Sequence, residues 1–155
     1  MGRGAQESEG WRGFAIPRLQ TRYNALLTSL IIGALHSIWH IPLLFVKGVI
    51  QHTLAQEVGF IPAFLGYAVF VIALAVQLTW VFNNTKGSVL LAAVFHGALN
   101  TWNGYIDIYR GHMGGIYAYT ALTAVVSIVV VIIFGVENLS RVKRSAANQR
   151  LHPTA

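Results

Sequence analysis

Cysteine is absent from this chain. That excludes disulfides, a thiolate nucleophile and any cysteine-ligated metal, and it leaves the redox compartment unread. Charge is nearly as scarce. Only 10% of the 155 residues are charged and 5 are acidic, where a soluble domain carries about 25% charged residues. Hydrophobic residues make up 55% and the mean hydropathy is +0.57, the composition of a single membrane-embedded domain. Internal repeats and low-complexity tracts are missing too. The net charge is +6, but the basic residues gather at the two ends and form no stripe with interleaved aromatics. Membrane lipid is therefore the expected partner and nucleic acid is not. The first twenty residues have no continuous apolar core, so no signal peptide is expected.

What is present is a set of four apolar segments, about Ala25–Val46, Phe60–Phe82, Gly87–Gly104 and Gly115–Val136. Each is near the ~20 residues a spanning helix needs, the third being marginal. Pro42 predicts a kink just past His40, and Pro62 suits the first turn of the second segment. Ahead of them lies a polar, basic stretch, Met1–Tyr23, that includes the amphipathic run Gly10–Gln20. The pattern predicts an all-α fold: a polytopic membrane helix bundle with about four transmembrane helices and a short N-terminal amphipathic helix. Residues 1–136 form its core and 137–155 a polar basic tail, expected to be disordered. Four spans put both termini on one side. That side holds nine of the 11 basic residues, leaving Lys47 and Arg110 on the other. The bias predicts cytoplasmic termini in a bacterial plasma membrane.

Two histidines fall inside membrane-length segments, His40 in the first and His96 in the third. A strongly polar side chain at that depth costs several kcal/mol unless it faces the bundle interior or water, so it marks a site. His36 precedes His40 by four positions and Asn100 follows His96 by four, so each pair is predicted to share a helix face. At ~1.5 Å per residue His40 lies ~25 Å beyond Tyr23, and His96 ~15 Å beyond Lys86. The two faces meet only if the first helix starts late or tilts.

Three motifs occur in order. Glu7-Ser8-Glu9-Gly10-Trp11-Arg12-Gly13 comes first, then Ser37-Ile38-Trp39-His40-Ile41-Pro42-Leu43, then His96-Gly97-Ala98-Leu99-Asn100. Together they resemble the CPBP family of intramembrane proteases, also called Abi or the CAAX amino-terminal protease family, which includes the prenyl-protein endopeptidases. Its hallmarks are Glu-Glu-x-x-x-Arg, an aromatic-x-x-x-His motif and His-x-x-x-Asn. The resemblance covers roughly residues 7–136. It implies that Glu7 activates the attacking water, that His40 and His96 are the two motif histidines, that Asn100 helps stabilise the oxyanion, and that Arg12 is structural and pairs with a carboxylate. Ser8 stands where the second glutamate is expected, with Glu9 displaced by one position, and His36 occupies the aromatic slot. Members of the family carry further membrane helices upstream of the first motif.

The chemistry agrees with the resemblance. Peptide hydrolysis needs a base, and a buried carboxylate can serve. It also needs donors for the oxyanion, which His and Asn side chains supply in a low-dielectric site. The same Glu7, His40 and His96 could instead hold a catalytic zinc, although the His-Glu-x-x-His zinc helix is absent. Both mechanisms stay open. The leading expectation is an endopeptidase acting on membrane proteins or lipidated, CAAX-like peptides, with bacteriocin self-immunity as a role that the resemblance also implies. A second reading, motivated by Ser8 and the short N-terminal stretch, is an inactive remnant that binds or assembles, closed by a homo-oligomer or a partner membrane chain. A third is a bis-histidine haem protein on His40 and His96, which leaves Glu7, Asn100 and the Gly-Trp-Arg-Gly stretch unexplained.

Overall fold

The computed structural model describes residues 9–110 and 112–141, with side chains left out at 9 and over 103–115. A π-helical segment, Glu9–Ala15, runs into a one-turn helix α1 (Ile16–Leu19). Then come α2 (Ala25–Trp39), a 3-10 turn (Ile41–Phe45), α3 (Ile50–Val58), α4 (Phe60–Asn84), α5 (Val89–Arg110) and α6 (His112–Phe134). All regular structure among the described residues is helical. Three apolar runs are long enough to cross a membrane, Ala25–Phe45, Phe60–Asn84 and Ile116–Phe134, and Val89–Trp102 is a shorter apolar helix. The protein is thus a helical membrane bundle, with runs close to the four segments expected from hydropathy. The short helix α3 has no counterpart among them.

Helix α4 is the hub, packed against α2, α3, α5 and α6. Its partner faces carry small and hydroxylated side chains, while large apolar groups such as Leu90, Val94 and Ile132 point outward. That distribution suits a bundle whose solvent is hydrocarbon, where helices associate through close packing and hydrogen bonds. Gly33 on α2 lies so close to α4 that a Cβ there would sit 2.7 Å from the Ile72 Cα. Between α4 and α6, Gln77 Nε2 donates to the Thr123 carbonyl (2.9 Å) and to Ser127 Oγ (3.2 Å), and Ser127 Oγ reaches the Ala73 carbonyl (2.8 Å). Ser29, Ser37 and Thr79 return their hydroxyls to the carbonyl four residues back, so these buried polar groups are satisfied within their own helix.

One end of the bundle is tied together by the chain that leaves α6. Gly135, at φ +75°, stops that helix, as a residue in the left-handed region commonly does. The next carbonyls cap α2, because Leu26 N–H donates to Val136 and Ala25 N–H to Glu137. Asn24 completes the cap by accepting from Leu27 N–H at 2.8 Å. Asn83 and Asn84 donate to the carbonyls of Asn138 and Leu139, and the Leu139 side chain is fully buried. The polar tail expected to be disordered from residue 137 is therefore fastened at 137–141, because the orphan N–H groups of α2 and the asparagines ending α4 need those carbonyls. Residues 142–155 lie outside the described part. The clasp sets α2 antiparallel to α4.

Candidate active site

Proline 42 decides where His40 sits. Lacking an N–H and disfavouring helix in the residue before it, it ends α2 at Trp39 and turns the chain into the 3-10 segment. His40 is left as the C-cap, with its N–H on the His36 and Ser37 carbonyls, both at 3.2 Å. Its Nδ1 lies 2.8 Å from the same His36 carbonyl. A carbonyl only accepts, so Nδ1 carries the hydrogen and the lone pair of the neutral ring is on Nε2. That ring is buried, 8% exposed. Around it stand Trp39 edge-on at 5.0 Å, His36 at 4.7 Å and Tyr67 of α4 at 5.3 Å between ring centroids.

His36, 3% exposed, stacks on Trp11 of the π-helical segment at 5.5 Å and 22°. It thereby takes the part of the aromatic ring its position calls for. The adjacent Arg12 is 1% exposed. The amphipathic N-terminal stretch thus turns Arg12 and Ile16 into the bundle and leaves Phe14 outside, because Ile16, Ile32 and Phe82 close an apolar cluster with Trp11 and Val89. A guanidinium so buried must be compensated. The carboxylates expected to do so fall outside what is described: Glu7 precedes the described residues, and of Glu9 only the backbone is placed.

His96, 3% exposed, occupies the inner face of α5, one turn after Ala92, which is fully buried against α4. Asn100 does not share that burial. It is exposed, as are Thr101 and Trp102, because packing against α5 thins out beyond Leu99. Tyr119 donates its hydroxyl to the Leu99 carbonyl (3.0 Å) and packs on Phe70. Gly33 lies opposite Ile72 and His40 beside Tyr67. The N-terminal segment bridges the two helices, with Trp11 on His36 and Gly13 beside Val89.

Among the described residues no three His, Asp or Glu side chains gather as a metal-holding group. A centre on His40 and His96 would need the carboxylate of Glu7, which lies outside them. Sequence reasoning missed Tyr67, since a tyrosine in an apolar span reads as an interface residue. Its only available signal was a polar handle in the middle of the second span.

The sequence model of the family described as type II CAAX prenyl endopeptidase, Rce1-like, matches residues 4–102. These contain all three motifs and the buried His36, His40 and His96. The chain belongs to this family. A curated relative, CAAX prenyl protease 2 of Methanococcus maripaludis, is 32% identical over 94 residues, which are 61% of this chain and 34% of that protein. The chain thus spans about a third of that relative. No solved structure matches. Against the family pattern, His36 stands in the aromatic slot and stacks on Trp11.

Proposed function

We propose that this chain is the histidine-bearing core of an intramembrane endopeptidase that cleaves peptide bonds in membrane-associated or lipidated substrates. The observation that carries the reading is the burial of His40, oriented through its Nδ1, and of His96 within the membrane bundle of a chain that belongs to a prenyl endopeptidase family.

In this reading Glu7 takes a proton from water. Nε2 of His40 accepts the water's other hydrogen and aims its oxygen at the scissile carbonyl. Because Nε2 is an acceptor in the neutral ring, stabilising the oxyanion falls to His96 and Asn100, whose N–H groups can donate. Asn100 is exposed, so its donor gains full strength only when substrate or another chain excludes water there. In the alternative reading Glu7, His40 and His96 would hold a zinc ion, which would supply the activated water, while the His36 carbonyl would fix the tautomer of His40.

The test is cleavage of a prenylated, membrane-anchored reporter peptide by the purified protein in lipid. Beside it run Glu7→Gln, His40→Ala and His96→Ala, with metal content measured on each. Loss of at least 100-fold in kcat/KM for every variant, at unchanged helicity, is the expected result; a general base alone supplies about that much. Full activity in Glu7→Gln would remove the base assignment. Inactivity of the unmodified, folded protein would favour a binding or assembly module.

A further inference from the structure

Asn100 has little burial to hold it, since it is exposed, as are Thr101 and Trp102 after it. The proposed reaction nevertheless asks its amide to stand within hydrogen-bond reach of an oxyanion. The hold comes from another helix. The carbonyl of Leu99 and the N–H of Asn100 belong to one peptide group, and the Tyr119 hydroxyl of α6 donates to that carbonyl at 3.0 Å. A carbonyl oxygen has two lone pairs, so it can take this bond in addition to a helical one.

Tyr119 is itself anchored. It is 5% exposed, and its ring lies 5.5 Å from that of Phe70 on α4. Its carbonyl accepts from Thr123 Oγ1 at 2.8 Å, and the Thr123 carbonyl accepts from Gln77 Nε2 of α4 at 2.9 Å. Tyr67, three residues before Phe70, stacks 6.1 Å from it and 5.3 Å from His40. Contacts thus run from His40 through Tyr67, Phe70 and Tyr119 to the peptide that precedes Asn100, with α4 as the common reference.

A buried tyrosine hydroxyl needs some acceptor in any case, so the informative point is where this one ends. Ser29, Ser37, Thr79 and Thr123 direct their hydroxyls to carbonyls of their own helices, whereas Tyr119 reaches across to α5. The apolar packing of Ala92, Phe95 and Leu99 in the core beside α4 has no preferred direction. A hydrogen bond demands both a distance and an angle, and so fixes the height and rotation of α5 at this turn.

We infer that Tyr119 is a positioning residue: its hydroxyl holds the Leu99–Asn100 peptide and thereby sets where the Asn100 amide stands relative to His40. The inference rests on the endopeptidase reading, in which Asn100 is an oxyanion donor. Tyr119→Phe tests it by removing the donor while keeping the ring on Phe70. With the prenylated reporter in lipid, kcat of the folded variant should fall about ten-fold, less than the ~100-fold that a 1 Å misplacement costs. KM should stay within about two-fold, because an oxyanion donor acts in the transition state. In an Asn100→Ala background the same substitution should change kcat by no more than about two-fold, the two sites being coupled. A ten-fold loss in both backgrounds would reduce Tyr119 to a structural residue and overturn the inference, as would an unchanged kcat in Tyr119→Phe.

A second measurement needs no cleavage. Hydrogen–deuterium exchange is compared between the unmodified protein and Tyr119→Phe in lipid nanodiscs, over residues 96–102 and over α2 as a reference. Faster exchange confined to 96–102 is the expected result, since that turn loses its tie. Equal exchange there, or equal loosening of α2, would overturn the inference whatever the activity. If the unmodified protein cleaves nothing and 96–102 still loosens in Tyr119→Phe, the endopeptidase reading has failed while the hold of Tyr119 on α5 stands.

Discussion

At the scale of single residues, the arrangement around His40 separates what backbone does from what side chains do. The hydrogen bond that sets its tautomer ends on the carbonyl of His36, not on its ring. The ring of His36 serves for stacking on Trp11. Replacing it with another aromatic should therefore be mild. His36→Phe is expected to retain stability within about 1 kcal/mol and to keep cleavage activity, because stacking and the backbone carbonyl both survive. His36→Ala should lower stability by about 2–4 kcal/mol through the cavity it opens, and should loosen His40. Thermal unfolding in detergent, with reporter cleavage alongside, checks both. Activity lost in a stable His36→Phe protein would instead mean that the imidazole itself takes part in the chemistry. The spacing of His36 to His40 was legible in the sequence, since four residues make one helix turn. The unequal burial of His96 and Asn100 was not, because the same spacing says only that they share a face, and how far α6 covers that face is a tertiary matter.

Among the elements, the contact between α2 and α4 controls where His40 stands. Gly33 is two turns before His40 on α2, and its backbone rests on Ile72. Gly33→Ala would place a Cβ 2.7 Å from a backbone atom that cannot rotate away, so the helices must separate. The expected cost is about 1–3 kcal/mol, seen as a lower midpoint in thermal unfolding, together with reduced cleavage as His40 shifts against Tyr67. Gly97→Ala is the contrast. Its Cβ would meet nothing within 4 Å, so helix propensity alone predicts unchanged or slightly higher stability. Equal effects of the two substitutions would show that the α2–α4 contact is not the constraint. Long apolar runs made α2, α4 and α6 readable from hydropathy. Helix α3 was not, being nine residues long with Gln51, His52, Gln56 and Glu57 among them, too short and too polar for a span signal. The N-terminal segment was legible as an amphipathic stretch, but not how deep Trp11 and Ile16 carry Arg12 into the bundle. The contact of Tyr119 with the Leu99 carbonyl could not be read at all, since it joins separate helices.

For the whole molecule, the clasp made by residues 136–140 fixes sidedness relations that charge counting alone only suggests. It holds the start of α2 and the end of α4 at one end of the bundle. The far end of the Ala25–Phe45 run therefore emerges on the opposite side. If basic residues set the orientation, Tyr23 faces the cytoplasm and Val46 the exterior, and the absence of cysteine allows a direct check. Tyr23→Cys and Val46→Cys each introduce the sole thiol at an exposed position and leave every charge in place, so neither variant alters the signal that orients the chain. In intact cells an impermeant maleimide should label Val46→Cys and not Tyr23→Cys, and in inverted vesicles the pattern should reverse. Labelling of both from the same side would break the link between the clasp and the crossing of α2. Reversed labelling would keep the bundle but turn it over, which would move the exposed Asn100, just past the middle of α5, to the cytoplasmic half. In the orientation predicted, Asn100 lies toward the exterior half, and the proposed cleavage site lies between the two surfaces, closer to the outer one. A reporter whose scissile bond is stepped through the bilayer one helical turn at a time should then be cut best when that bond lies on the outer side of the midplane.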